Sequence, residues 1–117
     1  DLGALLGCGA HLTALRRTKI GPFGLDVALP LADFEAVPAE AREGRLASVD
    51  ALLVHLPVLQ LDAAQVRSLT HGQPAQGCDG EPGRMVRAYE GEHFLGVATF
   101  GEAGELVPTR LVATGNR

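Results

Sequence analysis

Three apolar, strand-like runs close the chain and restrict its fold more than any other feature. They are Arg84–Tyr89, Phe94–Phe100 and Leu106–Ala113. The separators between them, Glu90–His93 and Gly101–Glu105, have the length and glycine content of hairpin connections. We therefore expect consecutive antiparallel strands, which need another layer to cover their apolar face.

A strand and a helix precede these runs and can supply that cover. Val58–Leu61 predicts a short strand, and Asp62 is the expected N-cap of a helix that ends at His71 and Gly72. A loop that contains Gly and Pro, Gln73–Gly83, leads back to the sheet. This part of the chain is predicted to be a small antiparallel β barrel, or an open sheet, with one helix.

The head of the chain, residues 1–23, predicts one helix and one strand. Three leucines within Leu2–Leu6 lie on one helical stripe, and Gly7 is the expected helix stop. His11–Ile20 begins apolar and ends charged, which favours a strand whose first half is buried.

The acidic middle, residues 24–57, is predicted to be a connector with short helices. Pro30 can open one of them and Ser48 can cap another, while the carboxylates of this segment are expected to be solvated. The fold class is thus predicted to be α+β in three parts: the edge of a domain at residues 1–23, this connector, and a compact domain at residues 58–117.

Charge is distributed unevenly along the chain. The net charge of −4 argues against a wholly basic nucleic-acid binder, and 4% aromatic residues with no Trp argue against a large stacking platform for single-stranded bases. Arg16, Arg17 and Lys19 stand against a single acid, Asp1, in the opening segment. The basic head is therefore where a polyanion would dock.

Three features of the sequence concern membrane insertion, the length of the natural polypeptide and the redox environment. No apolar run reaches the ~18 residues that a membrane span needs, so no membrane partner is expected. The chain opens at Asp1 and its only methionine is Met85, which suggests a piece of a longer polypeptide. Cys8 and Cys78 are too few for a disulfide framework and favour free thiols in a reducing compartment.

A zinc site is an alternative that the residues leave open. Cys8 and His11 have a familiar ligand spacing, whereas His71 and Cys78 match no common ligand pair, and we expect no metal. The glycines beside Cys8 can bring the backbone close to a phosphate, although a turn between helix and strand is the commoner reason for such glycines.

A complete catalytic site cannot be assembled from these residues. His55 and His93 have no Ser or Cys partner at a meaningful spacing. The chain also contains no nucleophile elbow, zinc-protease motif or phosphate-binding loop.

Two blocks of the sequence carry a family resemblance. Asp1–Phe23, with its D-L-G-x-x-L-G-C-G-A-H-L-x-x-L-R-R-T-x-x-G-P-F pattern, resembles the last block of the catalytic domain in tRNA pseudouridine synthases of the TruB type. The later block is similar to the PUA-like RNA-binding domain that ends bacterial members, in Leu61-Asp62, His71–Gln73, Arg84–Tyr89, Phe94–Gly96 and Leu106–Val112.

The resemblance implies an isomerase that detaches, rotates and rejoins the uracil of a tRNA T-loop uridine. The base is flipped out of the loop before it reacts. The nucleophile of the family is an aspartate in a motif that this chain lacks, so the resemblance places it before Asp1 and predicts that the chain alone is inactive. It implies no cofactor and no metal, and a cytoplasmic, monomeric enzyme that binds the T-arm of tRNA, with the acceptor stem as a second candidate contact.

The L-R-R motif supplies the site residues that the resemblance assigns to this chain. Leu15 is implied to pack against the target base. Arg16 and Arg17 complete the motif and are implied to make structural pairs or contacts with the RNA backbone, for which a guanidinium is well suited.

Weaker RNA-binding candidates lie outside the motif, and other functions stay open. The weaker candidates are Lys19, Arg84, Arg87 and Arg110. The three arginines of the tail have acids nearby in the sequence that could equally balance them. The alternatives to the enzyme fragment are a stand-alone RNA-binding module, a metal-bound structural domain and a protein-interaction domain.

Overall fold

The computed structural model describes residues 1–112 and divides into two compact units, Asp1–Glu43 and Gly44–Arg117. Within residues 1–112, no helix is both long enough and apolar enough to cross a membrane. The expected domain limits at residues 23 and 57 stay predictions.

The first unit consists of short elements with almost no buried side chain. In chain order they are α1 (Leu2–Leu6), β1 (Lys19–Ile20), β2 (Phe23–Gly24), α2 (Leu31–Ala36) and α3 (Ala39–Arg42). Gly3 is the only buried residue between positions 1 and 43. Helix α1 is confirmed with its stop, since Gly7 adopts the left-handed conformation (φ 75°) that favours glycine at a helix end.

The strand expected over His11–Ile20 is wrong for most of its length. Only Lys19 and Ile20 form a strand, and they pair with Gly24 and Phe23 in an antiparallel hairpin. A strand needs a partner for its backbone groups, and within residues 1–112 none pairs with positions 11–18.

The connector helices are only partly as expected. Pro30 stands at the N-cap of α2, as the sequence predicted. Ser48 caps no helix: of the two short 3-10 helices in the connector, Glu43–Arg45 precedes Ser48 and Ala51–Leu53 follows Asp50.

The second unit is built on a four-stranded sheet with one helix. Its elements are β3 (Val58–Gln60), α4 (Ala63–Thr70), β4 (Met85–Glu90), β5 (His93–Phe100) and β6 (Leu106–Leu111), and the strand order is β3-β4-β5-β6. Each of the four strands expected in this unit is present and starts within one residue of its expected position. The α+β class is confirmed. Ala113, the expected end of the last strand, lies outside the described residues.

One strand pair departs from the antiparallel expectation. β4, β5 and β6 pair antiparallel through the two predicted hairpins, but β3 runs parallel to β4. The reason is the connection between them: α4 crosses over from the end of one strand to the start of the other, and a helical crossover of this kind joins parallel strands.

Helix α4 begins at the cap that the sequence predicted. Asp62 accepts hydrogen bonds from the backbone N–H groups of Ala64 and Gln65, both at 2.8 Å, and the Gln65 side chain accepts one from the Asp62 N–H at 2.9 Å. This reciprocal capping box fixes where the helix starts. The opposite end reaches His71 and Gly72, as expected.

The core of the second unit lies between α4 and one face of the sheet. Its buried side chains are Leu61, Leu69, Ala75, Val86, Ala88, Leu95, Ala98, Phe100 and Leu106. Because strand side chains alternate, Val86 and Ala88 of β4 point into this core, while Arg87 and Tyr89 lie on the opposite face. We call that opposite side the outer face of the sheet.

Candidate functional site

The L-R-R motif lies on an exposed stretch between α1 and β1. Leu15 is 79% exposed, and Arg16, Arg17 and Lys19 are exposed as well. Among residues 1–112, neither Arg16 nor Arg17 has a side-chain hydrogen bond or an ion pair. An apolar side chain therefore stands beside cationic groups that are free to bind an external anion.

A tight glycine turn holds the start of this stretch against α1. The carbonyl of Gly3 accepts a hydrogen bond from the N–H of Gly9 at 3.1 Å. A Cβ at Gly3 would lie only 2.8 Å from the Ala10 Cβ, so the backbone of residues 9 and 10 approaches the helix more closely than a side chain would permit. The glycines thus anchor the segment that leads into the L-R-R motif.

Arg87, a candidate RNA contact, is occupied by partners within the second unit. Its Nε donates a hydrogen bond to the Leu56 carbonyl at 2.9 Å. Its Nη1 lies 3.3 Å from a carboxylate oxygen of Asp50, in an ion pair whose side chains are 14% and 18% exposed. The hydroxyl of Tyr89 donates a hydrogen bond to the same oxygen.

These contacts set the ionisation of the cluster. The hydroxyls of Tyr89 and Ser48, and then the Arg87 guanidinium, hold the pKa of Asp50 below its ordinary value of 3.8. The hydrogen bond to the Asp50 carboxylate raises the pKa of Tyr89 above its ordinary value of 10.0. Asp50 is therefore ionised and Tyr89 neutral at neutral pH.

Arg84 lies at a cleft of the second unit. The cleft has a volume of about 230 Å³, and its lining includes Pro57, Val58, Leu59, Asp79, Arg84 and Phe100. Sites for whole small molecules usually measure ~300–1,000 Å³. This cleft is smaller than such sites, and its lining combines Arg84 with the carboxylate of Asp79.

Arg110 lies on β6, and its side chain is exposed. It pairs with Val97 of β5, next to a close approach of the two backbones at Gly96. Gly96 has a φ of 143°, and a Cβ there would overlap the Arg110 carbonyl oxygen. The basic candidates of the tail are thus not equivalent: Arg84 and Arg110 are exposed, whereas Arg87 is paired.

The cysteines and histidines do not assemble a metal site in the part of the chain that the structure describes. Cys8 is exposed, and Cys78 is half-buried with its Sγ 3.3 Å from Nε2 of Gln65. No three His, Cys, Asp or Glu side chains between residues 1 and 112 lie close enough to hold a metal ion.

Asp50 has a role that was not predicted from the sequence. It was expected to be solvated with the other acids of the connector, whereas the structure places it among Arg87, Tyr89 and Ser48. The only signal available was that Tyr89 is the one tyrosine of the chain and stands two positions from an arginine on a predicted strand.

Comparisons with known proteins match both units. The family described as "tRNA pseudouridylate synthase B C-terminal domain" matches residues 1–62, and the one described as "Pseudouridine synthase II TruB, C-terminal" matches residues 57–112.

Individual relatives give the same result. The tRNA pseudouridine synthase B of Aromatoleum aromaticum is 51% identical over 114 residues, which cover 97% of this chain and 37% of that protein. The proteins of the same name from Chromohalobacter salexigens and Burkholderia mallei are 43% and 46% identical, with 97% and 98% of this chain and 38% and 40% of theirs covered. The chain thus spans about two fifths of the length of these relatives, and it belongs to the tRNA pseudouridine synthase B family.

Proposed function

We propose that the chain is the C-terminal part of a tRNA pseudouridine synthase that isomerises a T-loop uridine. The observation that carries the proposal is the exposed Leu15 beside two arginines without partners among residues 1–112. This combination matches a flipped base with flanking phosphates, because the base needs an apolar contact and the phosphates need charge. Family membership gives the reaction class that such a site would serve.

Leu15 forms one wall of the pocket for the target base in this proposal. A side chain that is 79% exposed loses contact with water when a base covers it, so part of the cost of unstacking the base is offset. Arg16 and Arg17 bind the RNA backbone next to that base, and Lys19 adds a further positive charge on β1.

Residues 58–112 provide a second, PUA-like contact with the tRNA. Arg84 at its cleft and Arg110 on β6 reach phosphates of the acceptor stem, since both are exposed cations on one compact unit. Arg87 has a structural role and does not bind RNA in this proposal, because Asp50 already neutralises its charge. The boundary near residue 57 is part of this proposal.

The nucleophilic aspartate is supplied by polypeptide that precedes Asp1. The relatives are about two and a half times as long as the chain, which leaves room for such a segment. Isomerisation keeps every atom of the uridine and involves no net oxidation or reduction, so the reaction needs no co-substrate. We propose that the enzyme acts as a monomer in the cytoplasm.

The test is a single-turnover assay of Leu15→Ala in the full-length enzyme with a T-arm RNA. The expected result is a slower isomerisation step, because the base loses its apolar contact. Leu12→Ala is the matched control, since Leu12 is 78% exposed on the same stretch and carries no assigned role. Equal rates for the two variants would contradict the role of Leu15, and turnover by the 117-residue chain alone would contradict the proposed position of the nucleophile.

A stand-alone RNA-binding module is the second candidate function. The exposed arginines of the second unit favour it, because they do not depend on a catalytic pocket. The tRNA affinity of the second compact unit, residues 44–117, would then equal that of the whole chain. A clearly higher affinity of the whole chain favours the enzyme fragment, in which the head also binds.

A further inference from the structure

The outer face of the sheet in the second unit has an occupied part and an open part. Where β3 and β4 lie, Arg87 and Tyr89 bind Asp50, and Arg87 also donates to the Leu56 carbonyl, so residues 50–57 occupy that part. The rest of the face lies on β5, β6 and the first residue of β4, and we call it the open part. Its side chains are Met85, Thr99, Val107, Thr109 and Arg110.

Strand register places three of these side chains in one row. Thr99 of β5 pairs with Met85 of β4 on one side and with Val107 of β6 on the other. The next pair, Phe100 and Leu106, points into the core, so the row points outward. Met85 and Val107 are 42% and 37% exposed. Because neighbouring strands lie ~5 Å apart, the row is a flat surface about 10 Å wide with an apolar group at each end.

Two hydroxyl groups form a pair within the open part. Oγ1 of Thr99 and Oγ1 of Thr109 lie 2.7 Å apart, so one of them donates a hydrogen bond to the other. The pair keeps one O–H donor and several acceptor lone pairs that no other group among residues 1–112 uses. A ribose 2′-hydroxyl, which both donates and accepts, has the complementary chemistry.

The charge of the open part favours an anionic partner. Arg110 pairs with Val97, which lies opposite Arg87, so its side chain is on the outer face as well. It is exposed, and among residues 1–112 it has no side-chain hydrogen bond or ion pair. Strands β5 and β6 contain no acidic residue, although the chain has a net charge of −4. The carboxylate of Glu105, just before β6, accepts a hydrogen bond from the Ala103 N–H at 3.0 Å. The open part thus carries one positive charge and no negative one.

We propose that the open part binds the minor groove of the tRNA acceptor stem through its ribose 2′-hydroxyls. The minor groove of an A-form helix is wide and shallow and displays these hydroxyls, so it fits a flat surface. The Thr99–Thr109 pair binds a 2′-hydroxyl, and Arg110 binds a phosphate beside it. Met85 and Val107 contact the carbon atoms of the riboses. The inference rests on the proposed function, because it names the chemistry by which the second unit recognises the same RNA.

The experiment measures the affinity of the full-length enzyme for whole tRNA and for the same tRNA with 2′-fluoro nucleotides in the acceptor stem. Fluorine removes the hydroxyl and keeps the A-form helix and every phosphate. We expect the wild-type enzyme to bind the fluoro tRNA about fivefold more weakly, which corresponds to the loss of one hydrogen bond. Equal affinities for the two RNAs would overturn the inference, and this arm requires no change to the protein.

The double variant Thr99→Val/Thr109→Val supplies the complementary arm. It replaces both hydroxyls by methyl groups and keeps β-branched residues, which suit a strand. We expect it to bind unmodified tRNA about fivefold more weakly and to show no further loss with the fluoro tRNA, because the same hydrogen bond is already absent. Thr70→Val is the matched control, since Thr70 is exposed on α4 and its hydroxyl donates to the Val66 carbonyl at 2.9 Å. It should behave as the wild type with both RNAs.

The two arms together separate this inference from the proposed function. A double variant that still loses about fivefold with the fluoro tRNA would overturn the inference, because the 2′-hydroxyls would then be recognised by other residues. A loss of the difference between the two RNAs in the double variant, with the difference kept in Thr70→Val, would support it. Wild-type enzyme that fails to isomerise a T-arm RNA would instead overturn the proposed function, whatever the two affinities are.

Discussion

The Tyr89 hydroxyl donates a hydrogen bond to the carboxylate of Asp50, across 39 residues of chain. Arg87, from the same strand as Tyr89, pairs with the same carboxylate oxygen at 3.3 Å. The segment before β3 is thereby joined to the sheet by groups whose protonation states depend on one another. This dependence makes the contact measurable in solution.

Asp50→Asn is expected to lower the pKa of Tyr89 towards its ordinary value of 10.0. In the wild type the nearby carboxylate disfavours the phenolate, and the neutral amide removes that effect. Tyr89 is the only tyrosine and the chain has no Trp, so an ultraviolet titration of phenolate follows this one group. The same titration in denaturant gives the unperturbed reference, and identical folded-state curves for variant and wild type would contradict the hydrogen bond.

Lowering the pH below 3.8 is expected to destabilise the second unit, because Asp50 becomes protonated. Because the pKa of Asp50 is lower in the folded chain than its ordinary 3.8, this group stabilises the fold fully above that value. The contribution is lost as the pH falls below 3.8 and through the folded pKa. Hydrogen exchange at Leu53 should accelerate over this range in the wild type and depend less on pH in Asp50→Asn. A wild-type profile that is flat below pH 4 would be incompatible with the lowered pKa.

Local signals in the sequence were sufficient for several elements. The start of α4 was predictable because Asp62 caps its own helix from two and three residues away. The stop of α1 at Gly7 and the hairpin between β4 and β5 also depend only on neighbouring residues. The L-R-R motif was identified only through the family resemblance. Its residues alone look like the charged end of an ordinary strand and do not indicate a binding site.

Longer-range pairing explains what the sequence could not predict. The contact between Asp50 and Arg87 joins positions 37 residues apart, and nothing beside either residue indicates its partner. The strand expected over His11–Ile20 has suitable composition, but within residues 1–112 no strand pairs with positions 11–18. The helix that follows β3 is a crossover connection, which would have predicted that β3 pairs parallel to β4. Antiparallel strands were expected instead because the later strands are joined by hairpins.

Gly96→Ala is expected to destabilise the sheet by roughly 3 kcal/mol. The substitution combines a backbone conformation that side chains rarely adopt with a Cβ only 2.7 Å from the Leu111 Cα. Native-state hydrogen exchange of β5 amides measures the change in the free energy of opening. Gly44→Ala is the matched control, because a Cβ there meets nothing within 4 Å and should cost almost nothing. Equal protection in the two variants would refute the close approach of β5 and β6.

Cys8 is expected to react with iodoacetamide well before Cys78. Burial, and then the nearby carboxylates of Asp62 and Asp79, raise the pKa of the Cys78 thiol, so less of the reactive thiolate is present. Cys8 is exposed. Peptide mass spectrometry after brief labelling measures both rates, and unfolding in denaturant should make them similar. Rapid labelling of Cys78 in the folded chain would contradict its half-buried position.

Arg16→Ala and Arg17→Ala are each expected to reduce the salt dependence of tRNA binding. If each guanidinium neutralises one phosphate, its loss lowers the slope of log affinity against log salt concentration by about 0.7–0.9. The measurement is a titration of the full-length enzyme with T-arm RNA at several salt concentrations. Arg67→Ala is the control, since Arg67 is exposed on α4 and has no assigned RNA contact. A slope that stays at the wild-type value in either head variant would show that the arginine binds no phosphate and that its exposed charge serves another purpose.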